Sequence, residues 1–483
     1  MNAALRCHAV PGTPGPFLVD GFRHQGAFSP RTRSFFLSHF HGDHYTGLKP
    51  EFNQGTIYCS AITRALCVHV LGVDAARVVA MDLGCRTQVE GVFVTLFDAN
   101  HCPGAVMFQF EAGEERTILH TGDMRFHEKM LQYEFKKPID TLFLDTTYNK
   151  PKYVFLPQVD AIAMGVDVVT GRLPGVAQTD IGEVGTGWRD QTLFLVGAYN
   201  IGKERLLLAL GKALGGAKIA VDPKKMAGQI SCVFSDKEER ESLFTVDEAE
   251  SNVHVCRMSF CGEMWPFFRP NFVPMQQYLD RVNAMRPQNA QFKRVVGIIP
   301  TGWAGTSKWN RKNSISRKGR CTVVLIPYSE HSSFNELERF AKGVKARHIE
   351  PTVFDGESDR LAIMSRFHHL TDRTACKRRF LQMMGGGSSS SPPTPTPTPP
   401  TSSSTFASSS SSTSSSSSSA SYASSSFASS LDAKSDFAPE SAVIDLTGED
   451  THADAPRAKK KPRNTGTLNT FFKKNVVPNK RKL

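Results

Sequence analysis

Three things are missing from this 483-residue chain. Its ten cysteines include no C-x-x-C pair, no apolar run approaches the length of a membrane span, and no charged residue occurs between Gly385 and Ser430. Unpaired, scattered cysteines give no disulfide framework, so the thiols are expected to be reduced, as in cytosol or nucleus. The opening MNAALRCHAV lacks the layout of a secretory leader, and no membrane partner is expected. The uncharged Gly-Ser-Pro-Thr tract has only three aromatics. It cannot bury enough apolar surface to offset chain entropy and is expected to be disordered. Residues 1–384 are dense in apolar runs and long enough for two domains.

Charge is unevenly balanced. The formal net charge is +12, of which residues 385–483, with eleven Lys/Arg and seven Asp/Glu, supply +4 and the remainder about +8. Such an excess favours a polyanionic partner, because neutralising phosphates releases counterions.

The first half reads as short strands, several of them ending at once in Asp, His or Gly: Phe35–Leu37, Val92–Phe97, Ala105–Phe110, Thr117–His120 and Thr141–Leu144. Beyond Lys150, a Gly-rich stretch from Gly165 to Gly187 reads as a loop insertion. A strand Thr192–Gly197 then leads into a helix around Lys203–Leu210. Val295–Ile299 and Cys321–Pro327 are further strand candidates, the second running into Tyr328–Ser333.

After the first of these strands comes SHFHGDH, residues 38–44. On extended backbone, residues two apart share a face, so His39 and His41 can address one ion. Gly42 permits a sharp turn, after which Asp43 and His44 approach from the first turn of a helix. Imidazole and carboxylate together suit zinc or a similar divalent metal, and more than three ligands at one strand end suggest two ions.

SHFHGDH resembles the signature of the metallo-β-lactamase superfamily. DANHCPGA (98–105), HTGD (120–123), LDTTY (144–148) and YSEHSS (328–333) follow in the order expected of that superfamily. With Gly202-Lys203-Glu204 and PTGW (300–303), they resemble the β-CASP nucleases of DNA cross-link repair, relatives of Artemis and Apollo, over roughly residues 10 to 370. The resemblance implies an α/β fold: an αββα metallo-β-lactamase sandwich built from residues 1–150 and 301–384, with a β-CASP α/β domain inserted at 151–300. A disordered tail at 385–483 follows.

It also implies ligands. One metal falls to His39, His41 and His101 with Asp123 bridging; a second falls to Asp43, His44, Asp123 and His331. Zn2+, as one or two ions, is the expected cofactor, with Mg2+ or Mn2+ as the alternative at the second position. Asp20 takes the place of an aspartate that orients a ligand histidine. Asp145, in LDTTY, is a ligand support, a proton carrier or a turn residue. Asp43, Asp123, Asp145 and His331 form the expected catalytic set, and the nucleophile would be metal-bound hydroxide.

The run Ala198–Glu204 places amides and a lysine at an inferred helix start, where anions are attracted. By resemblance Tyr199, Gly202, Lys203, Thr301, Gly302, Ser329, Ser332 and Ser333 would form a pocket for a terminal 5′-phosphate. The family more often has Thr and Ser where this chain has Ala198 and Asn200. Lys308, Arg311, Lys312, Arg317, Lys318 and Arg320 add a basic loop able to follow a DNA strand.

The tail holds three short elements. Val443, Ile444 and Leu446 resemble a SUMO-interacting strand, and Lys459–Arg463 reads as a nuclear import signal or DNA contact. Leu468, Phe471 and Phe472 resemble a PCNA-docking peptide, with Thr465 where glutamine is usual. The expectation is a nuclear, metal-dependent 5′-exonuclease acting on 5′-phosphorylated DNA in cross-link or break repair. The alternatives are an RNA-processing endonuclease of the same superfamily, a small-molecule hydrolase, and an inactive repair scaffold using the SUMO and PCNA elements.

Overall fold

The computed structural model describes residues 3–28, 31–113, 116–176, 186–264, 267–305 and 314–372. The tail, with its SUMO-like, basic and PCNA-like elements, lies outside these residues, as do Lys308, Arg311 and Lys312. Among the described residues no helix is long and apolar enough to cross a membrane.

A first sheet joins Ala9–Val10 (β1), Phe17–Val19 (β2), Ser34–Phe36 (β3), Thr56–Cys59 (β4) and Val78–Ala80 (β5) in chain order, parallel from β2 onward. A second sheet holds Thr87–Val89 (β6), Val92–Asp98 (β7), Val106–Glu111 (β8), Thr117–His120 (β9) and Thr141–Leu144 (β10). Its far edge is closed by His348–Pro351 (β20), which pairs in parallel with β10, Thr141 opposite His348. The chain therefore leaves this sheet after β10 and returns about two hundred residues later to complete it.

Strand alternation sends successive side chains to opposite faces, and the two cores follow it. Phe17, Val19 and Phe36 meet Val94, Leu96, Phe108, Phe110, Ile118 and Phe143 between the sheets. The Phe36 and Phe110 rings pack edge to face with centroids 4.9 Å apart. Leu18, Phe35, Leu119, Leu142 and Leu144 point the other way, into a core shared with the helices Ala61–His69, Phe334–Val344 and Gly356–Phe367. The result is an αββα sandwich, as expected.

The inserted region forms a third sheet. It comprises Thr192–Ala198 (β11), Ile219–Ala220 (β12), Phe244–Thr245 (β13), Val253–Arg257 (β14), Arg294–Pro300 (β17), Ile315–Lys318 (β18) and Cys321–Ile326 (β19). The order is β13-β12-β14-β11-β17-β19-β18, parallel except for the edge strand β18. A separate hairpin, Gly262–Glu263 (β15) with Arg269–Pro270 (β16), lies outside it. Phe194, Val196 and Ile298 bury against the helices Gln158–Val169 and Glu204–Ala213; Leu193, Leu195 and Ile299 bury against Phe272–Ala284. This sheet is thus covered on both faces, as parallel sheets are.

Two expectations are corrected here. The boundary placed after residue 300 cuts this sheet, because β19 pairs with β17 from Val295–Cys321 to Pro300–Ile326. The inserted sheet therefore extends to Ile326. Gly165 is not in a loop: it lies within Gln158–Val169, where a Cβ would come 2.8 Å from Leu206 Cδ1, so its small size lets two helices approach. Residues 177–185 of that stretch lie outside the described residues.

Candidate metal centre

The residues singled out as ligands gather where strands end. β3 delivers Ser38 to His41, β7 leads to His101, β9 to Asp123, β10 to Asp145 and β19 to His331. Open α/β sheets present their ligand sites at these carboxyl ends, where loops from neighbouring strands converge.

His39 Nε2 and His101 Nε2 each lie 3.0 Å from His41 Nδ1, and Asp123 Oδ2 lies 3.7 Å from His39 Nε2 and 3.8 Å from His101 Nε2. The four ligand atoms all fall within 4.8 Å of one another. Ligands about 2.0–2.1 Å from a tetrahedral zinc would stand about 3.3 Å apart, so the set fits such an ion with little adjustment.

The outer ring nitrogens fix which lone pairs face inward. His41 Nε2 donates to the carbonyl of Ile201 at 3.1 Å and His101 Nδ1 to that of Glu330 at 2.7 Å. His39 Nδ1 lies 2.9 Å from Ser38 Oγ, whose own proton goes to Asp20 Oδ2 at 2.6 Å. A carbonyl can only accept, and Ser38 has already spent its donor on Asp20. The protons of all three rings therefore sit outside and three bare nitrogens converge.

A second focus adjoins the first across Asp123. Asp123 Oδ2 is 3.1 Å from His44 Nε2 and 3.9 Å from His331 Nε2, so one oxygen faces four imidazoles. Asp43 Oδ2 lies 3.8 Å from His44 Nε2 at the rim, its side chain 38% exposed. Asp20 accepts from the Ser38 amide, the Ser38 hydroxyl and His44 Nδ1, the last at 2.8 Å. Asp145 accepts from His331 Nδ1 at 2.9 Å and from the Met124 amide, and its other oxygen takes the Thr147 amide and hydroxyl. It therefore orients a histidine and braces its own turn at once.

Burial, reinforced by neighbouring histidines, holds His39 well below the usual imidazole range. Burial also lowers His41 and takes His101 down to about 3. All three are neutral near pH 7, the form that binds metal. Burial opposes charge at His44 too, but Asp123 and Asp20 raise it well above the ordinary value. At His331, Asp145 and Asp123 overcome burial and raise it to about 9. Asp123 is held well below the carboxylate range, against its burial, by His44 and His331. Two imidazolium ions thus balance the carboxylates, and an ion entering the second focus must displace their protons.

The residues expected to hold a 5′-phosphate bond largely within the protein. The Gly202 amide donates to Glu204 Oε1 and the Lys203 amide to Glu330 Oε1, both at 2.9 Å, while Lys203 Nζ pairs with Glu330 Oε2. The protein's own carboxylates fill the anion cradle. Ser329 bonds to the backbone of His331, Ser332 to Met124 and Phe126, and Ser333 caps the helix Phe334–Val344. Thr301 accepts from the Trp303 amide, and a Cβ on Gly302 would meet the Tyr148 hydroxyl at 2.9 Å. Of the eight residues, all of them described, only Tyr199 is exposed. In the basic loop, Arg320 is held by the carbonyls of Lys293 and Phe292 and by Asp280, at the end of β19 remote from His331. Arg317 is held by the carbonyl of Val176.

Ser38, Ile201 and Glu330 were not singled out from the sequence. Ile201 contributes through its carbonyl, which leaves no side-chain signal. Glu330 stands beside a ligand, yet its partners lie 127 and 229 positions away in the chain.

Residues 11–173 match the beta-lactamase superfamily domain and residues 238–357 match the DNA repair metallo-beta-lactamase family. The chain is similar to DNA ligase 6 of Arabidopsis thaliana (37% identical over 387 residues, 77% of this chain and 25% of that protein). It is also similar to the DNA cross-link repair protein SNM1 of the same plant (31% identical, 72% of this chain and 66% of that protein). The 5′ exonuclease Apollo of Gallus gallus is 31% identical over 71% of this chain and 63% of that protein. The chain thus spans between a quarter and two thirds of the length of these relatives. A four-layer sandwich interrupted by a second α/β sheet, with histidines and aspartates gathered at its strand ends, agrees with both matches: the chain belongs to the metallo-β-lactamase β-CASP family of DNA cross-link repair proteins.

Proposed function

We propose that this chain is a metal-dependent DNA nuclease, a 5′-exonuclease of cross-link or break repair that acts in the nucleus on 5′-phosphorylated strands. The observation that carries the reading is the convergence of three neutral histidine nitrogens and Asp123 on one point, with His44 and His331 facing the same Asp123 oxygen. The relative named 5′ exonuclease Apollo supports the exonuclease mode.

His39, His41, His101 and Asp123 would hold a first zinc, and Asp43, His44, Asp123 and His331 would hold a second ion, zinc or else Mg2+ or Mn2+. Bound metal lowers the pKa of water and neutralises charge on the phosphoryl group. The chain's own groups do the rest. Asp123 fixes the spacing of the two foci, and Asp20 and Asp145 hold the outer protons of His44 and His331. The αββα sandwich supplies every ligand but His331, which follows β19 of the inserted sheet, and that sheet also supplies the loop at Ile201 that turns His41. Tyr199, exposed above His41 with ring centroids 6.3 Å apart, is the remaining candidate of the expected pocket to meet the strand terminus.

The test uses end-labelled single strands bearing a 5′-phosphate or a 5′-hydroxyl, with and without chelator. Stepwise, chelator-sensitive release from the phosphorylated end is expected, with His41→Ala and Asp123→Ala inactive. Equal cutting by these variants, or cutting of RNA in preference to DNA, contradicts the proposal.

A further inference from the structure

His41 and His101 come from different loops, and the carbonyls that turn them belong to two others: Ile201 after β11 and Glu330 after β19, 129 positions apart. A ring nitrogen faces a metal only while the opposite N–H is held, so these carbonyls must stay in register with each other. One contact ties the two loops together. The Lys203 amide and Nζ grip the two oxygens of Glu330, and both side chains are 5% exposed. The loop is shaped for this grip. Gly202 has φ 102°, and a Cβ there would press within 3.0 Å of Glu330 Oε2. Lys203 itself has φ 73°, a left-handed conformation that a residue with a side chain keeps only where its surroundings hold it.

We propose that the buried Lys203–Glu330 pair is a positioning device for the metal centre, locking the Tyr199–Glu204 loop to the Tyr328–Ser333 turn so that the carbonyls of Ile201 and Glu330 keep His41 and His101 aimed inward. The inference rests on the metal-centre reading. It assigns Lys203 a task different from the phosphate contact expected of it: its ammonium serves the protein's own carboxylate, and its effect on the reaction passes through two histidine rings.

The full chain is compared with Lys203→Met, Glu330→Gln, the double variant, and Lys203→Arg, which keeps the charge. Zinc affinity is measured by competition with a chromophoric chelator, folding of the zinc-free proteins by circular dichroism, and cutting on strands with a 5′-phosphate or a 5′-hydroxyl. Loss of an outer hydrogen-bond partner weakens metal binding about 10- to 100-fold. That loss is expected for both single variants, with Lys203→Arg within a few-fold of the parent. Cutting should fall by the same factor on both strands and recover at high zinc. Where a single variant fails to fold, the double variant, which leaves no buried charge without a partner, carries the comparison.

Unchanged zinc affinity in the folded variants overturns the proposal, as does a loss confined to the 5′-phosphorylated strand, the signature of a direct phosphate contact. A parent protein that binds no zinc would instead sink the metal-centre reading.

Discussion

The carboxylate of Asp145 stands 2.9 Å from Nδ1 of His331, and the two residues are 186 positions apart in the chain. The contact joins the end of β10 to the turn after β19, and so a motif of the sandwich to the closing strand of the inserted sheet. Asp145 is buried among backbone donors, and its charge is the largest of the attractions that lift His331 to about 9 against burial.

Asp145→Asn keeps the shape and removes the charge. In metal-free protein the His331 titration should move down from about 9 towards the ordinary imidazole range, as read by histidine ring NMR. Cutting should fall by about 10- to 100-fold, the usual consequence of losing an outer-shell partner. An unmoved His331 titration would mean that Asp145 only braces its turn.

Glu204 gives a stability prediction away from the ligands. It is 6% exposed, one carboxylate oxygen takes the Gly202 amide and the other has no hydrogen-bond partner among the described residues. Burial first, and then the charge of Glu330, push it up to about 7. An acid raised in the folded state contributes stability that is complete below its unfolded value, about 4.5, and is lost as pH climbs through 7. Ionising it at pH 8 costs about 3 kcal/mol on this reckoning. Glu204→Gln should therefore be more stable than the parent in urea melts at pH 8 and equal to it near pH 4.5. A pH-independent difference would contradict the assignment.

Phe36 tests the sandwich. It is fully buried between the sheets, against Phe17, Phe108 and Phe110. Phe36→Ala removes that ring and leaves a cavity, with an expected loss of about 3–5 kcal/mol in denaturant unfolding. A loss below about 1 kcal/mol would mean that this layer is not the core.

What could be read from the sequence depended on how local the signal was. His39, His41, Asp43 and His44 lie within six residues, and strand alternation alone aims the first two at one point. Thr117–His120 and Thr141–Leu144 were legible to the residue, because both ends are marked by a change in polarity. The anion cradle at Gly202 and Lys203 was legible as a cradle, but not its occupant. Glu204 takes the Gly202 amide, and Glu330 takes the Lys203 amide from 127 positions downstream, a pairing that nothing near either residue announces. The same limit explains the displaced boundary. Cys321–Ile326 reads as a strand, but its partner β17 is known only once the sheet is assembled. Gly165 looked like loop punctuation because the reason for its size, Leu206, lies on another helix.

Metal content, measured by mass spectrometry on the purified chain and on His101→Ala, tests the central claim most directly. The account predicts one or two zinc ions per parent chain and none retained by His101→Ala after dialysis, with the fold intact by circular dichroism. A parent that takes up no zinc, or a His101→Ala protein that keeps the parent's full complement, would contradict it.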